Sequence, residues 1–193
     1  VDRRQRQMCI RDSIKDGVAV TKFLYWIKNS NIRKLNEIKV EKKLESFRKQ
    51  SKNYLFPSFS TIAGSGPNGA IIHYRSNIKS NRKLNKDHLL LVDSGGQYKW
   101  GTTDITRTIS FSNPSKKTKE LYTRVLKGHI AVAMSKIDKL KNGNNIDKLA
   151  RKSLNSINLD YRHGTGHGVG FFMNVHEGPQ SISCLLYTSP SPR

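Results

Sequence analysis

Residues 89–111, LLLVDSGGQYKWGTTDITRTISF, set an apolar run that ends in Asp93 against an alternating segment that begins at Asp104. The run Leu89–Val92 and the DITRTI alternation predict two strands, and SGGQYKWGTT between them is rich in turn residues. In a hairpin with the two aspartates directly opposed, their β-carbons would lie about 4.5–5.5 Å apart on one face. Two anions that close repel unless a proton or a cation intervenes. Hard divalent ions accept carboxylate oxygens, and a bridging carboxylate suits two ions about 3.5–4 Å apart. The simpler reading is one aspartate in a turn and one at a strand end, because Asp is common in turns.

Outward from this stretch, Phe56 to Tyr74 carries Gly64, Gly66, Pro67 and Gly69 between apolar pairs, which predicts two further strands joined by a tight turn. Upstream, Ile14, Val18, Val20, Phe23, Leu24 and Ile27 recur at helical spacing, and a second helix is expected from Val40 to Lys52 with Leu44 and Phe47 inward. Downstream, a long helix is expected from Ser115 to Ile137, capped by Ser115 or Asn113, and another through Ile157, capped by Asn144 or Asn145. Together these elements predict an α+β fold in which helices cover one face of a mostly antiparallel, curved sheet.

The chain has 193 residues, one domain's worth, with 35% hydrophobic and 25% charged residues. No apolar run approaches the roughly 18 residues of a membrane span. Residues 3–13, RRQRQMCIRDS, and 184–193, CLLYTSPSPR, resemble frame translations of the transposase adapters used to prepare sequencing libraries. Residues 1–13 and 184–193 are therefore set aside, leaving 14–183 as the expected, partial domain. Both cysteines, Cys9 and Cys184, fall outside it, which excludes a disulfide framework or thiolate zinc site within it and fits a reducing, cytoplasmic compartment. The first thirteen residues contribute four Arg and two Asp and the last ten one Arg, so +21 becomes +18 over 14–183. Such a balance raises nucleic-acid binding. The basic residues are nonetheless dispersed, the densest cluster, Lys79–Lys86, sits in a loop, and no groove-reading motif appears, so no nucleic-acid or membrane partner is expected.

Four histidines occupy unusual settings: His73 after GAII, His163 and His167 among the glycines of HGTGHGVG, and His176 in NVHEGP. The glycines argue against a helix and for backbone passing close to a site. A lone histidine is most simply a hydrogen-bonded structural residue, and His88 and His129 keep that reading.

As a set, AGSGPNGAIIHY, LLLVDSGGQYKWGTTDITRTI, VLKGHIAVAM and YRHGTGHGVGFFMNVHEGP resemble the catalytic domain of the Xaa-Pro aminopeptidase (aminopeptidase P) family, in its long, three-domain form. The resemblance implies the pita-bread fold shared with methionine aminopeptidase and prolidase. It also implies two divalent metal ions, commonly manganese with zinc or cobalt as alternatives, and substrates that are peptides with proline at the second position. By the same resemblance Asp93 chelates one ion, Asp104 bridges both and His167 binds the second, with a hydroxide between them attacking the scissile carbonyl. His73 and His176 match histidines that hold the substrate and stabilise charge in the tetrahedral intermediate, and His163 matches one lining the proline side of the pocket. A homodimer of the full-length form is a further expectation.

The family pattern adds two glutamate ligands downstream of NVHEGP, whereas the last acidic residue here is Glu177, within that motif. Three of five metal ligands are therefore expected in 14–183, and an inactive partial domain of an active parent. The alternatives are a prolidase-type dipeptidase and a pita-bread binding protein that has lost catalysis.

Overall fold

The computed structural model describes residues 3–136, 142–172 and 174–183. They divide into two compact units, one of residues up to 113 together with 169–175, the other of 114–168 with 176 onward.

In the first unit, helix α1 (Arg3–Lys28) and helix α2 (Glu37–Arg48) pack together. The core takes Val20, Phe23 and Ile27 from α1 and Val40 and Leu44 from α2, the 3–4 residue spacing of one helix face. The boundary expected at residue 13 falls inside α1, where Asp12 is buried and accepts from Asn53 Nδ2 at 2.6 Å and the Trp100 N–H at 3.0 Å. Helix α2 starts earlier than its apolar pattern suggested, because Asn36 caps it by accepting from the Lys39 N–H at 2.9 Å. Leu84 joins them, and Ala63, Leu90, Val92 and Ile109 complete the core from strands β2 (Ile62–Ser65), β3 (Leu90–Ser94) and β5 (Ile105–Ile109). These form an antiparallel sheet in the order β2-β3-β5. A separate two-stranded sheet pairs β1 (Tyr54–Pro57) with β4 (Gly96–Tyr98). The supposed turn between the two aspartates thus contains a strand that leaves the first sheet for another partner.

The second strand expected within Phe56–Tyr74 does not form. After β2 the chain enters a short 3-10 turn, Gly66–Ala70, with Gly66 at φ +57° and Pro67 in its first turn. The cause lies far off in sequence. The Glu37 carboxylate, fully buried, accepts from the Ser65 N–H at 2.7 Å, Tyr74 Oη at 2.8 Å, the Arg82 N–H at 2.9 Å and Asn68 Nδ2 at 3.0 Å. A buried charge needs that many donors, and satisfying it folds the GPNGAIIHY segment around α2 rather than along a sheet. Burial, with Glu37 adding to it, pushes the Tyr74 hydroxyl above its ordinary range, so it stays a donor.

A second buried cluster borders β3. Arg48 Nε donates to Asp16 Oδ1 at 2.7 Å, Arg48 Nη2 to Ser94 Oγ at 3.1 Å, and Tyr98 Oη to Asp16 Oδ1 at 2.8 Å. Both helices are thereby tied to the residue after Asp93. Burial, reinforced by Asp16, holds the Tyr98 hydroxyl well above the phenol range.

On the outer part of α2, burial and then the neighbouring Glu45 raise the Glu41 carboxyl above the usual glutamate value, against a bond from Ser76. For a raised carboxyl, the associated stability is fully present below the unfolded pKa and is lost as pH rises through the folded one. Glu41→Gln is therefore expected to raise Tm at about pH 7 and leave it unchanged at about pH 3. Thermal melts at both pH values check this, and an equal shift at both would contradict it.

The second unit pairs helices α3 (Lys116–Ala133) and α4 (Gly143–Asn155) and adds strands β6 (Gly166–Val169) and β7 (His176–Ile182), which pair with each other. Of the two caps offered for α3, Ser115 is used, accepting from the Thr118 N–H at 3.1 Å. For α4 the cap is Asn142, accepting from the Asn145 N–H at 3.1 Å, not Asn144 or Asn145. A β-carbon on Gly143 would lie 1.9 Å from Ser181 O, so β7 admits only glycine at this first turn. Gly128 serves a like end, since a β-carbon on it would meet Ala150 O at 2.1 Å where α3 crosses α4. Along the other side of α3, Tyr122, Val125, Leu126 and Ile130 form an exposed apolar stripe. Ile137, the expected end of α3, lies outside the described residues, as does the 184–193 segment. Among the described residues no helix is long and apolar enough to cross a membrane.

Candidate active site

In the first unit, Asp93 is half-buried on the central strand β3 and faces Thr106 across the β3–β5 ladder, not Asp104 as the hairpin reading had it. Thr106 Oγ1 donates to Asp93 Oδ1 at 2.8 Å, so the two side chains share a face. Asp104 immediately precedes β5, two residues before Thr106, and strand alternation turns it toward that same face. The pair is therefore diagonal rather than opposed, a geometry with α-carbons about 7–8 Å apart. The register moved because β4 takes residues from the connecting segment, which a local hairpin reading cannot see.

His73, expected at a strand end, instead follows the 3-10 turn in the left-handed region at φ +54° and is exposed. A non-glycine residue held there carries backbone strain of about 1–3 kcal/mol, as do Asn158 at φ +57° and Phe172 at φ +69°. His88 keeps its structural reading, its ring lying over the missing β-carbon of Gly66.

In the second unit, His167 on β6 and His176 on β7 meet edge to face, ring centroids 4.0 Å apart. His167 Nδ1 lies 2.8 Å from Gly168 O. A carbonyl can only accept, so Nδ1 carries a proton, and in the neutral ring Nε2 is then the acceptor nitrogen, the atom through which such a tautomer would bind a metal. His163 repeats the contact four residues earlier, Nδ1 to Gly164 O at 2.8 Å, while its ring stacks on Tyr161 at 4.7 Å.

The residues that hold this glycine-rich segment did not stand out in the sequence. Arg151 and Asp147, one turn apart on α4 and both buried, form an ion pair at 2.8 Å. Arg151 also donates to Asp160 Oδ1 at 2.8 Å, Tyr161 O at 2.6 Å and His163 O at 2.7 Å. Asp147 accepts from Thr165 Oγ1 at 2.6 Å, and Thr165 is in turn bonded to Tyr161 Oη. Burial pulls the Arg151 pKa down, but the bonds to Asp147 and Asp160 outweigh it and leave it raised, so the guanidinium stays charged. The bond from Arg151 holds the exposed Asp160 carboxyl below its ordinary range. The i, i+4 spacing of Asp147 and Arg151 was the available signal, but it reads equally as a surface pair.

Asp93 and Asp104 in the first unit offer carboxylates and His167 in the second an imidazole, ligand types that suit manganese, zinc or cobalt. Glu177, exposed beside His176, is the last acidic residue of the chain.

Comparison with known proteins places the chain in a family. Residues 11–191 match Metallopeptidase family M24. Aminopeptidase P2 of Arabidopsis thaliana is 49% identical over 175 residues, 88% of this chain and 24% of its own, and Xaa-Pro aminopeptidase 1 of Dictyostelium discoideum is 44% identical over 183 residues, 92% of this chain and 29% of its own. Among solved structures, the X-prolyl aminopeptidase of Caenorhabditis elegans, described as a cytosolic enzyme with a di-nuclear active site, superposes at a TM-score of 0.85 with 35% identity. That likeness covers 94% of this chain and 30% of the other. Prolidase from Pyrococcus furiosus gives a TM-score of 0.77 at 26% identity, covering 95% of this chain and 51% of its own. The chain thus spans under a third of the curated relatives it matches. With its helices packed on antiparallel strands in the pita-bread manner and its sequence matched over residues 11–191, the chain belongs to metallopeptidase family M24.

Proposed function

We propose that residues 14–183 are part of the catalytic domain of an Xaa-Pro aminopeptidase, which removes the first residue of peptides with proline second. The observation that carries this reading is the 44–49% identity to aminopeptidase P relatives over about nine-tenths of the chain, against 26% to the Pyrococcus prolidase structure. Asp93, Asp104 and His167 would hold two divalent ions, manganese for preference, together with two glutamates from elsewhere in the complete polypeptide. When bound, such ions supply Lewis acidity and stabilise developing negative charge.

The chain's own histidines do the rest. His176, edge-on to His167, would donate a hydrogen bond to the oxyanion of the tetrahedral intermediate as a neutral imidazole, adding no fixed charge. His73, strained and exposed, would hold the substrate, and His163 would line the proline side of the pocket. A cytoplasmic location is supported by the cytosolic Caenorhabditis neighbour.

The test is an assay of the complete enzyme carrying residues 14–183 on Xaa-Pro dipeptides and on longer Xaa-Pro peptides. Release of the first residue from the longer peptides is the expected outcome. Cleavage of dipeptides alone would assign the prolidase reading, and no cleavage with both glutamates replaced would assign a binding protein.

A further inference from the structure

We propose that Arg151 and Asp147 are positioning residues of the peptidase site, fixing the ring of His163 and the projection of His167 from the buried face of α4. The inference rests on the aminopeptidase reading for what the two histidines do, but not for how they are held.

The segment from His163 to Gly170 carries glycine at 164, 166, 168 and 170. Glycine leaves the backbone the widest choice of conformations, so the direction of the intervening histidines has to be imposed from outside the segment. Arg151 imposes it at three points. Its Nη1 bonds Asp160 Oδ1 and Tyr161 O, and its Nη2 bonds His163 O at 2.7 Å. The guanidinium also lies over the Tyr161 ring at 4.0 Å, and that ring stacks on His163 at 4.7 Å, giving an Arg151–Tyr161–His163 column. Only a planar fork can direct bonds to a helix carboxylate, a loop carboxylate and two carbonyls at once; a lysine is a point charge with no such plane.

Asp147 completes the frame. It orients the fork by accepting from Arg151 Nε at 2.8 Å and reaches past His163 to Thr165 Oγ1 at 2.6 Å. The Thr165 N–H donates to Ile182 O at 2.9 Å, which enters the strand into the β6–β7 pairing. With Thr165 fixed on both sides, the two-residue period of β6 sets the direction of His167. Asp147 is fully buried and Arg151 7% exposed, so these bonds act where water does not compete. An ion pair serving helix stability alone would bond within α4, whereas Arg151 sends its other bonds to residues 160–163.

The experiment reads the rings directly. In the metal-free, 15N-labelled chain at about pH 8, where imidazoles are neutral, ring-nitrogen NMR should show His163 and His167 protonated at Nδ1. Arg151→Lys keeps the charge beside Asp147 and removes the fork. With unchanged far-UV circular dichroism, it is expected to leave His163 as a mixture of tautomers with a broadened ring signal. Thr165→Val, which leaves Arg151 intact, is expected to perturb His167 more than His163, and Thr165→Ser is expected to restore the wild-type signals. In the complete enzyme each perturbing variant should lower kcat/KM by about 10- to 100-fold, the cost of a misplacement near 1 Å.

Folded Arg151→Lys and Thr165→Val chains with wild-type tautomers at both histidines would overturn the proposal. Should Arg151→Lys not fold, the Thr165 pair decides alone, and failure of Thr165→Ser to restore His167 counts against it. The ring readout needs neither metal nor peptide. Tautomers that respond as expected in an enzyme that cleaves no Xaa-Pro bond would therefore sink the functional reading and leave the positioning intact.

Discussion

Asp104→Ala in the complete enzyme is expected to lower kcat/KM for an Xaa-Pro peptide by about 1,000-fold or more, equivalent to roughly 4 kcal/mol, while His163→Ala loses only about 10- to 100-fold. The contrast comes from what each side chain can do from its place. Asp104 sits at the entrance of β5 on the face that carries Asp93, and under the proposed reading it is the carboxylate that would reach both ions. Its removal takes away half of the negative charge that Asp93 and Asp104 together provide. His163 is exposed and stacked on Tyr161, outside the ligating set, and its loss loosens substrate placement without removing a charge. Melting separates this loss from a folding defect, since Asp104 is half-buried and precedes the strand. Unchanged melting with lost activity and lowered manganese content is the expected signature. Equal residual rates for the two variants at saturating manganese would contradict the bridging assignment.

The sequence offers candidate residues for this site but not their geometry, for a reason visible at each. LLLVD reads as a strand because it is a short apolar run followed by turn residues, and in the structure its burial alternates, with Leu90, Val92 and Ser94 buried and Leu91 and Asp93 half-buried. The path of the chain after Ser94 could not be read locally. Gly96–Tyr98 pairs with Tyr54–Pro57, some forty residues back, and this detour shifts Asp104 from opposite Asp93 to a diagonal position. GAIIH looked like a strand for the same local reason and failed because Glu37, about thirty residues upstream, needs donors from both sides of it. Hydrophobic period reports which side of an element is buried; it is silent on a single buried carboxylate that reorganises its surroundings. Arg151 escaped notice likewise, since an Asp–Arg pair at i, i+4 looks the same on a solvated face as on a buried one. The histidines stood out because their glycine-rich setting is chemically odd in any fold, yet their tautomers depend on contacts to Gly164 O and Gly168 O that only coordinates reveal.

Manganese added to the 193-residue chain is expected to show no second site and at most one weak one, with calorimetric affinity poorer than micromolar. Two divalent ions held about 3.5–4 Å apart bring +4 into a small volume, and their repulsion falls only when ligands of matching charge surround them. In the proposed set Asp93 and Asp104 would supply −2, and an imidazole ligand such as His167 would add a lone pair but no charge. Under the proposed reading two glutamates would bring the set to −4, and no acidic residue follows Glu177 among these 193 residues. The remaining charge works in the same direction, because a formal +21 disfavours cations everywhere on the molecule and most strongly at low salt. Asp93 is further committed to Thr106 Oγ1, a bond that an incoming ion would have to share. The titration belongs on monodisperse protein, since the apolar stripe Tyr122, Val125, Leu126 and Ile130 on α3 favours self-association that would distort the heats. Restoring two glutamates by complementation with the downstream half of a relative's catalytic domain should then raise affinity by about 100-fold or more, each added carboxylate bringing both charge and oxygen ligands. Two micromolar sites on the 193 residues alone would show that other side chains of this chain complete the metal centre, and the assignment of Asp93, Asp104 and His167 as an unfinished set would fall with it.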